Sequence, residues 1–214
     1  MELKTISLEA AQNLVCRYPA LSRVAESLTT AAAMICKCHR NGGKLLVCGN
    51  GGSASDAEHI VGELVKSFSL PRPIPAEDAA KLRHPWLPEG VAEKLERGIP
   101  AIALTGHPAL STAICNDIAA ELVFAQQVYV YGKPGDVVIG LSTSGNSQNV
   151  IRAMEVARAF GLGTIGLTGI KACVMDSCCD VVLRAPAEET FKIQEYHLPL
   201  YHTLCIMVER EIFG

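Results

Sequence analysis

A histidine and a glutamate four residues apart, His59 and Glu63, are the side chains best suited to chemistry in this 214-residue chain. In a helix, this spacing places both of them on one face. An imidazole beside a carboxylate can bind a divalent metal ion or transfer protons. Because most helix histidines are ordinary, partly buried side chains, the segments around the pair decide how it is interpreted.

A segment rich in glycine and serine directly precedes the pair. Residues 50–55 read Asn-Gly-Gly-Ser-Ala-Ser and lie between an apolar run and the predicted helix. Glycines allow a ligand to approach the backbone, and the free amides at a helix start attract anions. The spacing differs from a dinucleotide fingerprint. We therefore predict a site for one phosphate group, with an ordinary strand-to-helix turn as the alternative.

A second segment of the same kind occupies residues 140–147, again after an apolar run and before a predicted helix. Capping that helix needs a single hydroxyl, but the segment offers four. Hydroxyls and backbone amides together bind phosphate without a lysine. Because the carboxyl ends of parallel strands share one edge of a sheet, we expect both segments to line one crevice. The four hydroxyls belong to Ser142, Thr143, Ser144 and Ser147.

The last predicted helix carries two more polar side chains near one face, Gln194 and His202, which are eight residues apart. His197 is offset from that face, and it either supports the site or lies on the surface. Pro199 removes a helix hydrogen bond, so we expect a kink between Gln194 and His202.

Asn116 and Asp117 form a further polar pair, in a region predicted to be helical. They are either an exposed turn or helix face, or a contact to sugar hydroxyls at the crevice.

Alternating strands and helices must position these residues. Apolar runs predict strands at 44–48, 101–105, 136–141, 164–167 and 181–184, and helical patterns cover 55–68, 110–130, 149–160 and 190–212. This alternation predicts an α/β fold with a parallel sheet and helices on both faces. Residues 7–41 are predicted to be helical with a break at Pro19. We expect one domain over residues 1–214, with N-terminal helices over 1–43.

Residues 69–99 interrupt the alternation with five prolines and the single tryptophan. Short helices are predicted at 76–82 and 90–97. A connection of this length is usually functional or mobile. Two interpretations remain open: an insertion that packs on a neighbouring subunit, and a lid or specificity loop.

Composition excludes several classes of protein. The net charge of −3 gives no electrostatic basis for nucleic-acid binding. No apolar run is long enough to span a membrane, and the N-terminus lacks the layout of a signal peptide. The nine scattered cysteines include no CxxC pair, which favours reduced thiols and a cytoplasmic protein.

Taken together, these motifs resemble the sugar isomerase (SIS) family, and within it the phosphoheptose isomerase branch. The resemblance lies in residues 48–53 with Asp56, His59 and Glu63, in 116–117, in 135–150, and in 193–197 with His202. It implies a three-layer α/β/α sandwich with a five-stranded parallel sheet of flavodoxin-like type and an N-terminal helical extension. It also implies a homotetramer with active sites at subunit interfaces.

The resemblance further implies a reaction and a set of residues. The branch interconverts D-sedoheptulose 7-phosphate and D-glycero-D-manno-heptose 7-phosphate through an enediol, for surface polysaccharide synthesis. Glu63 is implied as the base and His202 as the acid. One Zn²⁺ per subunit is implied on His59, Glu63, Gln194 and His202, although these ligands also suit other divalent metals. The implied substrate contacts are Asn50, Gly51, Gly52, Ser53, Ser55, Glu63, Asn116, Asp117, Ser142, Thr143, Ser144, Ser147 and Gln194.

The sequence also departs from the pattern of the branch. Phe191 stands where an aspartate is frequent, and Ser67, with Lys66 beside it, stands where an arginine is frequent. Residues 170–175 replace a glycine-rich stretch. These departures leave open an isomerase or lyase that acts on another phosphosugar. A second alternative is a non-catalytic SIS module that binds a sugar phosphate or a protein partner, like the replication-initiator-binding branch.

Overall fold

A five-stranded sheet lies at the centre of the computed structural model, which describes residues 3–214. All strand pairs are parallel, and the order is β2-β1-β3-β4-β5. This flavodoxin-like order reverses direction between β1 and β3, where ligands bind in open α/β sheets. Each strand overlaps a predicted one: β1 Leu45–Gly49, β2 Ala101–Ala103, β3 Val137–Leu141, β4 Gly163–Thr168 and β5 Val181–Arg184.

Helices precede, connect and follow the strands. None of the helices within residues 3–214 has the length and apolarity needed to cross a membrane. The α-helices are α1 Thr5–Arg17, α2 Ala25–Arg40, α3 Gly52–Val65, α4 Ala76–Lys81, α5 Val91–Lys94, α6 Pro108–Asp117, α7 Ala125–Tyr131, α8 Gln148–Ala159, α9 Met175–Cys178 and α10 Thr190–Phe213, with 3₁₀ turns at Pro19–Val24 and Ala120–Leu122.

The sheet is covered on both faces, because alternate residues of each strand point to opposite sides. In β1, Leu45 and Val47 pack into one apolar cluster with α1, α2, α3 and α10. Leu46 and Cys48 pack into a second cluster with α6, α7, α8 and α9. The predicted three-layer α/β/α sandwich is therefore confirmed.

The N-terminal helices are anchored to the last helix by the buried carboxylate of Glu211. This carboxylate accepts hydrogen bonds from the Lys4 amide, the Ser7 hydroxyl and the Arg40 guanidinium, at 2.7, 3.3 and 2.6 Å. The helical extension predicted for 1–43 is thus helical from Thr5, with the expected break at Pro19. Its first two residues lie outside the described part of the chain.

The single helix predicted over 110–130 is wrong. α6 ends at Asp117, because Ile118 has non-helical backbone angles, and a 3₁₀ turn separates it from α7. The Asn116 amide donates to the Asp117 carboxylate at 2.8 Å at this end. Such short polar side chains bond to local groups and favour helix ends over interiors.

The 69–99 segment is anchored at its base and exposed beyond it. Arg72 is only 1% exposed and donates to Glu209 of α10 and to the carbonyls of Glu63 and Leu64 in α3. Further along, α4 and α5 contain no buried residue. Both helices overlap the predicted ones, and the choice between lid and subunit contact stays open.

Candidate active site

Helices α3 and α10 bring together three of the four predicted metal ligands. His59 Nε2 lies 3.0 Å from Glu63 Oε1 and 3.4 Å from His202 Nε2. One ligand atom from each of the three residues lies within 4.8 Å of the others. Two nitrogens bound to tetrahedral zinc at about 2.0–2.1 Å lie about 3.4 Å apart. The donor set and its spacing therefore fit a divalent metal ion.

Glu63 is nearly buried, and its two carboxylate oxygens face different partners. Oε1 faces His59, whereas Oε2 accepts a hydrogen bond from the Lys66 ammonium at 3.0 Å. Burial and the neighbouring His59 lower the pKa of His202, against an opposing effect of Glu63. A lowered pKa favours the neutral imidazole, which is the form that binds metals.

A tyrosine that the sequence analysis did not single out lies behind this cluster. The Tyr201 hydroxyl is 3.0 Å from His59 Nδ1 and donates to Asp56 Oδ1 at 3.3 Å. Burial and the nearby Asp56 raise the pKa of Tyr201, so the phenol keeps its proton at neutral pH. Its position directly before His202, and the position of Asp56 one helical turn before His59, were the available signals.

The two remaining polar residues of α10 lie at different depths. A Cβ placed on Gly52 would be 2.7 Å from Gln194 Nε2, so the Gln194 amide lies against the first turn of α3. Its role as a ligand stays a prediction. His197 is fully buried, with Nε2 3.4 Å from the Thr168 carbonyl, and burial lowers its pKa to about 4. The surface interpretation of His197 is wrong. Pro199 does not interrupt α10, which continues to Phe213.

The serine segment after β3 folds its hydroxyls towards one another. Ser142 is buried, and its Oγ lies 2.9 Å from Ser147 Oγ and 3.5 Å from Ser144 Oγ. The Asn146 amide donates to Ser144 Oγ at 3.2 Å. Thr143 is half-buried beside them. These hydroxyls lie at the start of α8, as a phosphate site requires.

At the point where the strand order reverses, the glycine- and serine-rich segment after β1 contacts the first turn of α8, which directly follows the serine segment. The side-chain amides of Asn50 and Asn149 donate to each other at 2.9 and 2.8 Å. Gly51 has a φ of +55°, a conformation that favours glycine. In the first turn of α3, Ser53 is buried and Ser55 is exposed. Asn149 was not among the predicted site residues.

Asn116 and Asp117 are exposed at the end of α6. Within residues 3–214, no hydrogen bond connects them to the two serine segments. Beyond them, a cavity of about 460 Å³ opens between the 3₁₀ turn and the start of α8. It is lined by Ala120, Glu121, Gln148, Asn149 and Arg152.

Comparison with known proteins identifies the family. The model of the SIS domain family matches residues 18–97 and 89–169. The phosphoheptose isomerase of Roseiflexus sp. (strain RS-1) is 42% identical over 189 residues, which cover 88% of this chain and 84% of that protein. This chain belongs to the phosphoheptose isomerases of the SIS domain family. The corresponding protein of Burkholderia pseudomallei (strain K96243) is 39% identical over 98% of this chain and 94% of its own length.

Solved structures of phosphoheptose isomerases share the fold. The protein from Neisseria gonorrhoeae superposes with a TM-score of 0.70 at 33% identity, covering 94% of this chain and 93% of that one. The protein from Francisella tularensis superposes with a TM-score of 0.75 at 29% identity, covering 94% of both chains. The chain is therefore an isomerase with the SIS fold.

The departures from the phosphoheptose isomerase pattern have structural consequences. Ser67 does not place a cation at the site, and its hydroxyl accepts a hydrogen bond from the Arg72 amide at 3.0 Å. Lys66 supplies a cation instead, on Glu63. Phe191 is 58% exposed. Lys171, in the stretch that replaces the glycine-rich one, pairs with Glu188 at 2.9 Å.

Proposed function

We propose that this isomerase interconverts D-sedoheptulose 7-phosphate and D-glycero-D-manno-heptose 7-phosphate for surface polysaccharide synthesis. The observation that carries the proposal is the His59–Glu63–His202 cluster beside two phosphate-type loops, in a chain of this family. Retention of all three side chains favours catalysis over a non-catalytic binding module.

The phosphate end of the substrate is assigned to the two serine segments. Hydroxyls of Ser142, Ser144 and Ser147 and the free amides at the start of α8 bind the phosphate, and Ser53, Ser55 and Thr143 lie near these helix starts. Fixing this remote end orients the reacting carbons. We assign the sugar contacts to Asn50, Gly51, Gly52, Asn116, Asp117 and Gln194.

The proton transfer is assigned to Glu63 and His202. In the ketose-to-aldose direction, Glu63 takes a proton from C1 while the C2 carbonyl oxygen gains a proton from solvent, which gives the enediol. His202 then donates a proton to C2 while the O1 hydroxyl releases its proton to solvent, which gives the aldehyde at C1. Lys66 keeps one oxygen of Glu63 in place. The nearly buried position of Glu63 limits its hydration, which strengthens its interactions with the substrate.

We propose His59, Glu63, Gln194 and His202 as the ligands of one Zn²⁺ per subunit. A metal held by these residues would polarise the substrate carbonyl and stabilise developing negative charge. The three-residue cluster supports a divalent site, and the chemistry of its donors suits zinc.

A direct assay tests both the reaction and the metal. The purified protein is incubated with sedoheptulose 7-phosphate, with and without a chelator, and aldoheptose phosphate is measured. We expect turnover that the chelator abolishes and added Zn²⁺ restores. Absence of turnover in the zinc-loaded protein refutes the proposed reaction, and turnover of another ketose phosphate alone moves the proposal to that sugar.

Two variants of α3 test the base. Glu63→Gln removes the carboxylate, and we expect its rate to fall by at least 10²-fold, as is usual for general bases. Glu58→Gln is the matched control, because Glu58 lies on the same helix but is exposed. Full activity of the Glu63→Gln protein removes Glu63 from the mechanism.

We further propose that residues 1–214 form one SIS domain and assemble as a cytoplasmic homotetramer with sites at subunit interfaces. The exposed apolar side chains Tyr129, Val130 and Phe160 support an interface, and nine free cysteines suit a reducing compartment. Light scattering coupled to size-exclusion chromatography tests the tetramer, and a monomer at micromolar concentration contradicts it.

A further inference from the structure

Tyr201 links the metal cluster to the interior of the sandwich. Its side chain is 1% exposed, and its ring meets that of His59 edge-on, with centroids 5.4 Å apart. The hydroxyl reaches two groups of α3 at once, Asp56 Oδ1 and His59 Nδ1. Asp56, Tyr201 and His59 thus form a chain of three side chains that ends at the candidate metal site.

The chemistry of Asp56, Tyr201 and His59 sets the direction of the hydrogen bonds between them. A carboxylate only accepts, so the single hydroxyl hydrogen of Tyr201 is donated to Asp56. The phenol oxygen then has only lone pairs to offer His59, and His59 Nδ1 must carry the hydrogen.

A hydrogen on Nδ1 of His59 determines the state of the other ring nitrogen, Nε2. A neutral imidazole with hydrogen on Nδ1 has its lone pair on Nε2. That nitrogen is the atom that faces Glu63 Oε1 at 3.0 Å and His202 Nε2 at 3.4 Å. Glu63 Oε1 is an acceptor as well, so a cation between the two atoms would receive electron pairs from both His59 Nε2 and Glu63 Oε1.

We propose that Tyr201, held by Asp56, is a positioning residue that fixes the tautomer of His59 and directs its Nε2 lone pair at the metal. The inference rests on the proposed metal site. It assigns to Tyr201 and Asp56 no contact with the substrate. Outer partners of this kind typically change metal affinity by about 10–100-fold.

The first test reads which ring nitrogen of His59 carries the hydrogen in the zinc-loaded protein, because without metal the Glu63 carboxylate competes for a hydrogen on Nε2. Long-range ¹H–¹⁵N correlation spectra of protein labelled with [¹⁵N]histidine distinguish the two neutral forms, and a His59→Asn variant assigns the signal. We expect hydrogen on Nδ1 of His59. A zinc-loaded protein whose His59 carries no hydrogen on Nδ1 overturns the proposal.

The second test measures zinc affinity by competition with a chromophoric chelator. Tyr201→Phe keeps the ring in the core and removes only the hydroxyl, so we expect a loss of about 10–100-fold with an unchanged circular dichroism spectrum. Tyr196→Phe, on the same helix and half-buried, is the matched control and should bind zinc like the parent. Equal zinc affinity of Tyr201→Phe and the parent overturns the proposal.

Asp56→Asn tests the direction of the hydrogen bonds that join Asp56, Tyr201 and His59. An asparagine amide can donate to the Tyr201 oxygen, which frees the phenol to donate to His59 Nδ1 and moves the ring hydrogen to Nε2. We expect weaker zinc binding than in the parent, although Tyr201 is intact. If the parent binds no divalent metal, the metal proposal and this inference fail together. If the parent binds zinc but His59 carries no hydrogen on Nδ1, only the inference fails.

Discussion

Replacing Arg72 by methionine removes the buried cation that ties the base of the 69–99 segment to α10. Arg72 Nε and Nη2 lie 2.7 Å from Glu209 Oε1, and both side chains are fully buried. The guanidinium also donates to the Leu64 and Glu63 carbonyls, at 2.7 and 3.0 Å. Methionine fills much of the volume of the aliphatic stem but replaces none of these bonds.

The expected cost follows from what the variant leaves behind. Removing one partner of a buried ion pair costs about 3–5 kcal/mol, because the other charge stays buried. Glu209 keeps hydrogen bonds from the amides of Phe68, Ser69 and Leu70, which favours the lower end of that range. The carbonyls of Leu64 and Glu63 also lose their donor, which adds to the cost. We therefore expect the free energy of unfolding to fall by about 4 kcal/mol. For a chain of this size, this lowers the Tm by about 8–16 °C.

Thermal and urea unfolding followed by circular dichroism measure this loss. Arg97→Met is the matched control, because both arginines stack on Phe213, at 4.9 and 5.0 Å, but Arg97 is exposed. We expect the free energy of unfolding of the control to fall by less than about 1 kcal/mol. The double variant Arg72→Met/Glu209→Leu removes the stranded charge and should be more stable than Arg72→Met alone. If Arg72→Met unfolds like the control, the pair does not anchor the segment.

Three further predictions each concern the replacement of one residue. Gly145→Ala should lose about 1–3 kcal/mol in urea unfolding, because φ is +64° and the new Cβ would lie 2.2 Å from Cys173 Sγ. Gly52→Ala should change stability little but lower zinc affinity by about 10-fold, because the flexible end of Gln194 must move. Although burial opposes it, hydrogen bonds from Ser69 and Phe68 hold the pKa of Glu209 below 4.5. The ionised Glu209 carboxylate therefore stabilises the fold above pH 4.5, and this stabilisation is lost as the pH falls through the lower folded-state pKa. Glu209→Gln should flatten this part of the curve of unfolding free energy against pH.

Local sequence patterns predicted much of the fold and part of the site. Apolar runs and glycine-rich breaks located all five strands, because continuous burial and turn chemistry are properties of neighbouring residues. The i,i+4 spacing placed His59 beside Glu63 for the same reason. The prediction of one helix over 110–130 failed at Ile118, where the backbone leaves helical angles and a 3₁₀ turn follows.

The sequence by itself determined the strand–helix alternation, the two serine segments and the His59–Glu63 pair, since each depends on residues close in the chain. The family resemblance implied that Gln194 and His202 join them, and only the tertiary structure decided which other distant residues do. Tyr201 reaches His59 across 142 positions, and Arg72 reaches Glu209 across 137. These contacts depend on how α10 packs against α3, which is a property of the whole apolar core and leaves no periodic signal in the sequence.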